Sequence, residues 1–233
     1  MIGRCVNIPK KGNIELIKPH LIACEGLDAK LFLIQYLQSR KLIDQNIDLF
    51  QVEDFGGNPD LPLFLDTLPY LPNFIETLKS LTLVRDAENN SIGANQSIQS
   101  TLKNRNFAVP KAPCSIALPS GGQHLIKVSY ILFPEFDTAI KNGTLEDLCL
   151  SILHKPENHE HILNIANNAI NEYQEKFINY KWPHKNKLHT YLSLTDDFVS
   201  KKLGESARDG AFDFSAVIFN PFNELLTKLL YGS

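Results

Sequence analysis

A chain of 233 residues is long enough for one large domain with a sizeable buried core. Its formal net charge of −3 argues against a generally basic protein that coats nucleic acid, although a local basic face is compatible with it. No apolar run reaches the ~20 residues that cross a bilayer, and the first residues lack the apolar core of a signal peptide. The four cysteines form no CxxC pair, so we expect reduced thiols in a cytoplasmic protein without a zinc site.

Apolar runs alternate with helical periodicity in the first half of the chain. A short strand is predicted around Cys5 to Ile8, and stronger strands are predicted at 20–25, 47–52, 81–85 and 124–133. Helices are predicted between these strands, up to residue 40, over 61–68 and over 91–103. Alternating strands and helices predict an α/β fold with a parallel sheet of about four strands and right-handed crossovers.

The second half of the chain is mostly helical in pattern. Residues 106–123 are rich in proline, glycine and serine and predict a loop. Helices are predicted over 144–153, 161–177, 188–194, 197–203 and 223–231. We therefore expect an α/β core over 1–150 and a helical C-terminal extension over 151–233, packed together as one structural unit. Near the start of the helix predicted over 161–177, His154, His159 and His161 are expected in an exposed loop.

Carboxylates follow two of the predicted strands. Glu25 and Asp28 come after the strand at 20–25, and Asp86 and Glu88 come after the strand at 81–85. Residues two apart on an extended chain point to the same side, so Asp86 and Glu88 are expected to face one site. Ligands bind at the carboxyl ends of parallel strands, and Mg²⁺ prefers oxygen ligands. These turns therefore predict a site for a hard divalent metal.

This arrangement resembles the Toprim domain, which topoisomerases, bacterial primases and OLD-family nucleases (overcoming lysogenization defect) share. The resemblance covers roughly residues 19–150 and rests on Glu25-Gly26 with Asp28 and on Asp86-Ala87-Glu88. It looks most like small stand-alone Toprim-like proteins in which a G-x-L-E-D segment follows the last strand, here Gly143 to Asp147. Glu88 departs from the family pattern, where Asp is usual, and its extra methylene changes the reach of the carboxylate.

The resemblance implies a Toprim-like sheet flanked by helices and a nuclease that uses Mg²⁺ or Mn²⁺ to hydrolyse phosphodiesters in DNA or RNA. Carried over residue by residue, the implied metal ligands are Glu25, Asp28, Asp86 and Glu88, extended by Glu146 or Asp147. Glu25 could instead act as a general base. Lys187 resembles a lysine that some OLD-type enzymes place near the scissile phosphate.

A basic and aromatic segment at 176–195 contains no acidic residue. Lysines neutralise phosphates and aromatic faces stack on bases, so this segment predicts contact with nucleic acid. A solvated helix and loop would explain the same composition. The predicted nucleic-acid contacts are Lys176, Tyr180, Lys181, Trp182 and Lys185.

Other interpretations stay open at this stage. Acids at 25–28 and at 146–147 could simply cap helix N-termini. The chain could be a non-catalytic Toprim-like module that binds a nucleotide or a separate ATPase, because no GxxxxGK[ST] motif occurs in it. An ATPase supplied in trans, a homodimer and a place in a defence system against mobile DNA are analogies to OLD-type proteins. A topoisomerase-like reaction would need a nucleophilic tyrosine domain, and none is evident.

Overall fold

The computed structural model describes residues 14–155, 157–177 and 183–232, without the side chain of His184. Four strands form one sheet in the order β2-β1-β3-β4, and every neighbouring pair is parallel. The predicted α/β class is therefore confirmed. The predicted strand around Cys5 lies outside the described residues. The strands are β1 His20–Glu25, β2 Phe50–Gly56, β3 Ser80–Asp86 and β4 Lys127–Phe133.

The helices between the strands follow the predicted order. Helix α1 buries one stripe of apolar residues, including Phe32, Leu33 and Tyr36, which is the spacing expected for a helix that packs on a sheet. Within the described ranges, no helix has the length and apolarity needed to span a bilayer. The first four helices are α1 Gly26–Arg40, α2 Leu61–Thr67, α3 Phe74–Thr77 and α4 Ser91–Lys103. The last five are α5 Leu145–Ser151, α6 His159–Lys176, α7 Pro183–Ser193, α8 Leu203–Arg208 and α9 Asn220–Tyr231.

Both faces of the sheet are buried. Successive side chains of a strand point to opposite faces, so Leu21 and Ala23 join the apolar core that contains residues of α2 and α4. Ile22 and Cys24 join the other core, with residues of α1 and α5 to α9. Covering both faces explains why these strands read as continuous apolar runs in the sequence rather than as alternating ones.

The C-terminal helices continue the core on the α1 side of the sheet. The ring of Tyr36 in α1 stacks on Phe219 and Phe222, at centroid distances of 4.8 and 5.3 Å. Phe222 also stacks on Phe136, at 5.0 Å. These contacts cross position 150, where the sequence predicts the boundary between the core and its extension.

Several element boundaries differ from the sequence prediction. The second strand begins at Phe50 and continues to Gly56, because Gln45–Leu49 forms a 3₁₀ turn whose first residues are capped by Asp44. The helix predicted over 197–203 is absent from that segment, and α8 begins only at Leu203, where Glu205 accepts a hydrogen bond from the Lys202 backbone N–H. Helix α7 is described from Pro183 onward, five residues before the predicted start.

Candidate functional site

The two acidic turns lie next to each other in the sheet. β1 and β3 are hydrogen-bonded neighbours in which Leu21 is paired with Leu81 and Cys24 with Val84. Glu25 is the last residue of β1 and Asp86 the last residue of β3. The carboxyl ends of both strands therefore place these two acids at one edge of the sheet.

The two carboxylate oxygens of Glu25 differ in their hydrogen bonding. Its Oε1 accepts a hydrogen bond from the backbone N–H of Asn58, at 3.0 Å, in the turn after β2. Its Oε2 is buried and has no hydrogen-bond partner within the described residues. Burial raises the pKa of this carboxyl above its ordinary value, Arg85 and the Asn58 N–H lower it, and Glu88 raises it further.

Asp86 is the centre of the acidic group. Its Oδ1 accepts a hydrogen bond of 2.9 Å from the backbone N–H of Leu145, the first residue of α5. Burial raises the pKa of Asp86 to about 7, with further contributions from the carboxylates of Glu146, Glu25 and Glu88. Four acids from three parts of the chain are thus close enough to act on one another electrostatically.

The loop before α5 is fastened to the end of β3. Glu88 and Gly143 exchange two backbone hydrogen bonds of 2.8 Å each. This bridge brings the segment from Gly143 to Asp147 beside Asp86, and Glu146 is only 8% exposed there. The structure therefore brings together the two segments that the sequence links only by resemblance.

Glu88 does not have the extended geometry expected from the sequence. β3 ends at Asp86, and Glu88 has a φ of +54°, in the left-handed region. Alternation along a strand therefore cannot place Asp86 and Glu88 on the same side. The turn nevertheless keeps Glu88 near the site, because its charge raises the pKa of both Glu25 and Asp86.

The two remaining predicted ligands have other partners. Asp147 Oδ2 accepts from the backbone N–H and the hydroxyl of Thr144, at 2.9 and 3.2 Å, and so caps the N-terminus of α5. Asp28 lies exposed in the first turn of α1, and its Oδ1 is 3.4 Å from the backbone nitrogen of Gly204. Asp28 still lies near the other acids, because its charge, like the charges of Glu146 and Asp86, raises the pKa of the buried Cys149 thiol. Burial and these three charges raise the pKa of Cys149.

The chemistry of this group suits a hard divalent cation, since all its donors are carboxylate oxygens. The buried, unpartnered Oε2 of Glu25 and the raised pKa of Asp86 are both consistent with acids that gain from a nearby cation. Over the described ranges, however, no three His, Cys, Asp or Glu side chains are arranged as a ready metal site. A cation would have to draw the carboxylates closer together.

Arg85, the residue before Asp86, was not predicted from the sequence as part of the site. Its side chain is only 5% exposed, and its Nε lies 3.8 Å from Glu25 Oε2. Arg85 is the one lysine or arginine among the buried residues that the structure describes. The sequence does show one charged residue in the apolar strand LTLVR. It does not show that this residue pairs with Glu25, because Glu25 belongs to another strand.

The basic segment reaches the acidic group at one point. Helix α7 packs against α5, and Lys185 Nζ lies 3.6 Å from Glu146 Oε1. Lys187 is half-buried in α7, while Lys176 pairs with Glu172 on the surface of α6. The predicted nucleic-acid contacts Tyr180, Lys181 and Trp182 lie outside the described residues.

The expectation of an exposed histidine loop is wrong for His159 and His161, which both lie in helix α6. His159 begins this helix, is buried, and has its Nδ1 2.8 Å from the hydroxyl of Tyr191 in α7. The local sequence is polar, but the tertiary contact with α7 buries the ring.

Comparison with known proteins gives one family. The family described as "Protein of unknown function (DUF3226)" matches residues 19–231, from the start of the sheet to the end of α9. Searches of curated proteins and of solved structures found no match. Because the family match covers most of the chain, the protein belongs to the family described as a protein of unknown function (DUF3226).

Proposed function

We propose that this protein is a divalent-metal-dependent nuclease with a Toprim-like core, which hydrolyses phosphodiester bonds in DNA or RNA in the cytoplasm. One observation carries the proposal. Glu25 and Asp86 end neighbouring parallel strands, and Glu88 and Glu146 lie near enough to raise the pKa of Asp86. An all-carboxylate group at the carboxyl edge of a parallel sheet is suited to Mg²⁺ or Mn²⁺.

The carboxylates have the first role in this proposal. A bound Mg²⁺ or Mn²⁺ would lower the pKa of a water molecule and offset negative charge on the phosphate. Glu25, Asp86, Glu88 and Glu146 would hold the cation, with Asp28 at the exposed rim. The capping bonds of Asp147 favour a supporting role, in which it fixes the start of α5 and hence the position of Glu146.

The lysines of α7 have the second role. Lys185 lies against Glu146, so α7 can present positive charge at the edge of the acidic group. Lys187 follows two residues later and would assist at the scissile phosphate, while Lys176 and the basic segment would bind the nucleic-acid backbone. Such contacts weaken as the salt concentration rises.

The test is digestion of plasmid DNA and of tRNA with Mg²⁺ or Mn²⁺. We expect Asp86→Asn and Glu25→Gln to lower the cleavage rate by about 100-fold, because loss of even the outer partners of metal ligands costs about 10- to 100-fold. Asp48→Asn is the matched control, since Asp48 is an exposed acid paired with Lys41. Cleavage that survives both site substitutions would rule out the proposed site.

A second function is favoured by Arg85. Its guanidinium already lies beside Glu25, and the described acids do not form a ready metal site. These properties suit a non-catalytic module that binds a nucleotide. Such a module would work with an ATPase supplied in trans, or as a homodimer. Calorimetry with Mn²⁺ discriminates the two functions. A nuclease binds Mn²⁺ through Asp86, whereas a non-catalytic module gives no binding heat and no cleavage.

A further inference from the structure

Arg85 is enclosed at the carboxyl edge of the sheet. It follows Val84 in β3, and Glu25 follows the paired residue Cys24 in β1. Only 5% of its side chain is exposed, against 21% for Glu25. Burying a guanidinium is costly unless its charge and its N–H groups are satisfied.

The described residues satisfy the guanidinium only in part. Its Nε and Nη1 are buried without a hydrogen-bond partner, and Glu25 Oε2, with which Nε forms an ion pair, is also without one. The 3.8 Å between Nε and Oε2 is too long for a hydrogen bond. Two donors and one acceptor are thus left open at a single place, and each such group in a folded protein calls for an explanation.

We propose that Arg85 binds the phosphate of a nucleotide substrate, an inference that rests on the proposed function of the same site. Guanidinium is the side-chain group that best matches phosphate, because its N–H groups lie in one plane and it is always charged. Several phosphate oxygens can accept from different nitrogens of Arg85. A single water molecule offers one acceptor oxygen, fewer than a phosphate group does.

The position of Arg85 fits this role. Its Nε lies 3.8 Å from Glu25 Oε2, so a phosphate on Arg85 would lie beside one of the carboxylates that would hold the cation. Fixed positive charge next to a phosphate stabilises the negative charge that develops during its transfer. Arg85 therefore separates the site into an anion-binding side and a cation-binding side.

The experiment measures binding of thymidine 5′-monophosphate, with thymidine as the phosphate-free control. One set of titrations uses the wild type with Mg²⁺. A second set uses Asp86→Asn in a chelator, where the metal is absent and one repelling carboxylate is removed. In both sets we expect Arg85→Lys to weaken binding by about tenfold or more, since lysine keeps the charge but loses the planar donors.

Arg105→Lys is the matched control. The side chain of Arg105 is partly buried, but its Nε donates to the Pro62 carbonyl and its Nη2 donates to Asp66, so two of its nitrogens have partners. We expect this variant to bind the nucleotide as the wild type does. The Nε–H signal of Arg85 in the nuclear magnetic resonance spectrum, identified by its loss in Arg85→Lys, should shift with the monophosphate and not with thymidine.

Failure of this inference can be told from failure of the nuclease. The phosphate role is overturned if Arg85→Lys binds thymidine 5′-monophosphate as tightly as the wild type, or if the Nε–H signal of Arg85 does not shift with the monophosphate. Either result holds even if Mn²⁺ binds and nucleic acid is cleaved. If Mn²⁺ fails to bind the wild type but Asp86→Asn still binds the monophosphate through Arg85, the nuclease is overturned and the phosphate site stands.

Discussion

The carboxyl of Asp86 has a pKa of about 7 because burial and three neighbouring carboxylates disfavour its charged form. An aspartate in the unfolded chain titrates near pH 4, at roughly its ordinary value. Between these values the folded state holds the proton more tightly than the unfolded state. Proton binding by Asp86 therefore favours the folded state below about pH 4. This contribution to the free energy of unfolding is lost as the pH rises from about 4 to about 7, and it stays lost at higher pH.

Asp86→Asn tests this electrostatic cost. The amide removes the charge and keeps an oxygen for the N–H of Leu145. At pH 8, in a chelator, we expect the free energy of unfolding to rise by about 2 kcal/mol, roughly half of the full shift because the carboxylate is partly exposed. At pH 4 the gain should nearly vanish. Urea unfolding at both pH values provides the measurement, and equal stability of the two proteins at pH 8 would contradict an electrostatic cost at Asp86.

The same unfolding experiment with Mn²⁺ links stability to the site. A cation held by the carboxylates binds the folded state alone and stabilises it by mass action. We expect Mn²⁺ to raise the unfolding midpoint of the wild type and to leave that of Asp86→Asn nearly unchanged.

His20 predicts the opposite pH dependence at the other end of β1. Its Nδ1 lies 2.8 Å from Ser80 Oγ, and burial, with help from Lys79 and Lys127, lowers its pKa to about 4. The unfolded chain binds the proton below about pH 6.5, so stability present above that value is lost as the pH falls towards 4.

His20→Asn keeps a polar atom for Ser80 and removes the titration. Between pH 7.5 and pH 5, we expect the wild type to lose about 2 kcal/mol of unfolding free energy relative to this variant. The comparison cancels Asp86, which titrates in both proteins. Parallel loss of stability in the two proteins would show that His20 is not the group responsible.

At the scale of elements, α1 and α8 pack together at a glycine. A Cβ at Gly204 would lie 2.6 Å from Cβ and Cδ1 of Leu31, closer than real side chains come. This contact also brings the start of α8 to the start of α1, where Asp28 lies. The glycine therefore determines how near the C-terminal helices lie to the acidic edge.

Gly204→Ala should lower the free energy of unfolding by about 1–3 kcal/mol, as overpacking in a core does. The result would be informative because alanine in a helix normally stabilises by about 1 kcal/mol over glycine. Gly121→Ala is the control, since a Cβ there has no heavy atom within 4 Å. Thermal unfolding of both variants measures the effect, and a Gly204→Ala protein as stable as the wild type would mean that the helices can separate at no cost.

Local pattern explains which elements could be predicted. The apolar run of β1 and the helical spacing of α1 are properties of adjacent residues, and both were found near their true bounds. The neighbouring ends of β1 and β3 could be expected from parallel topology. Two other contacts join residues from separate elements, namely His159 with Tyr191 and Arg85 with Glu25. Sequence patterns within one segment cannot predict such contacts.

At the scale of the whole molecule, the C-terminal helices and the sheet share one apolar core. Phe222 in α9 is completely buried between Tyr36 of α1 and Phe136, which follows β4. The extension predicted at 151–233 thus supplies part of the cover for one face of the sheet. A cooperative unit is expected when a core of this kind is continuous.

Phe222→Ala tests whether the extension and the sheet unfold together. Removing a fully buried phenylalanine should lower the free energy of unfolding by about 3–5 kcal/mol. Val217→Ala, at a position that is 81% exposed, should change it by about 0.5 kcal/mol or less. Circular dichroism reports the helices and Mn²⁺ binding reports the carboxyl edge of the sheet. If the two signals are lost at one urea concentration in Phe222→Ala, the chain is one unit, whereas helices that melt while Mn²⁺ stays bound would establish a separate extension.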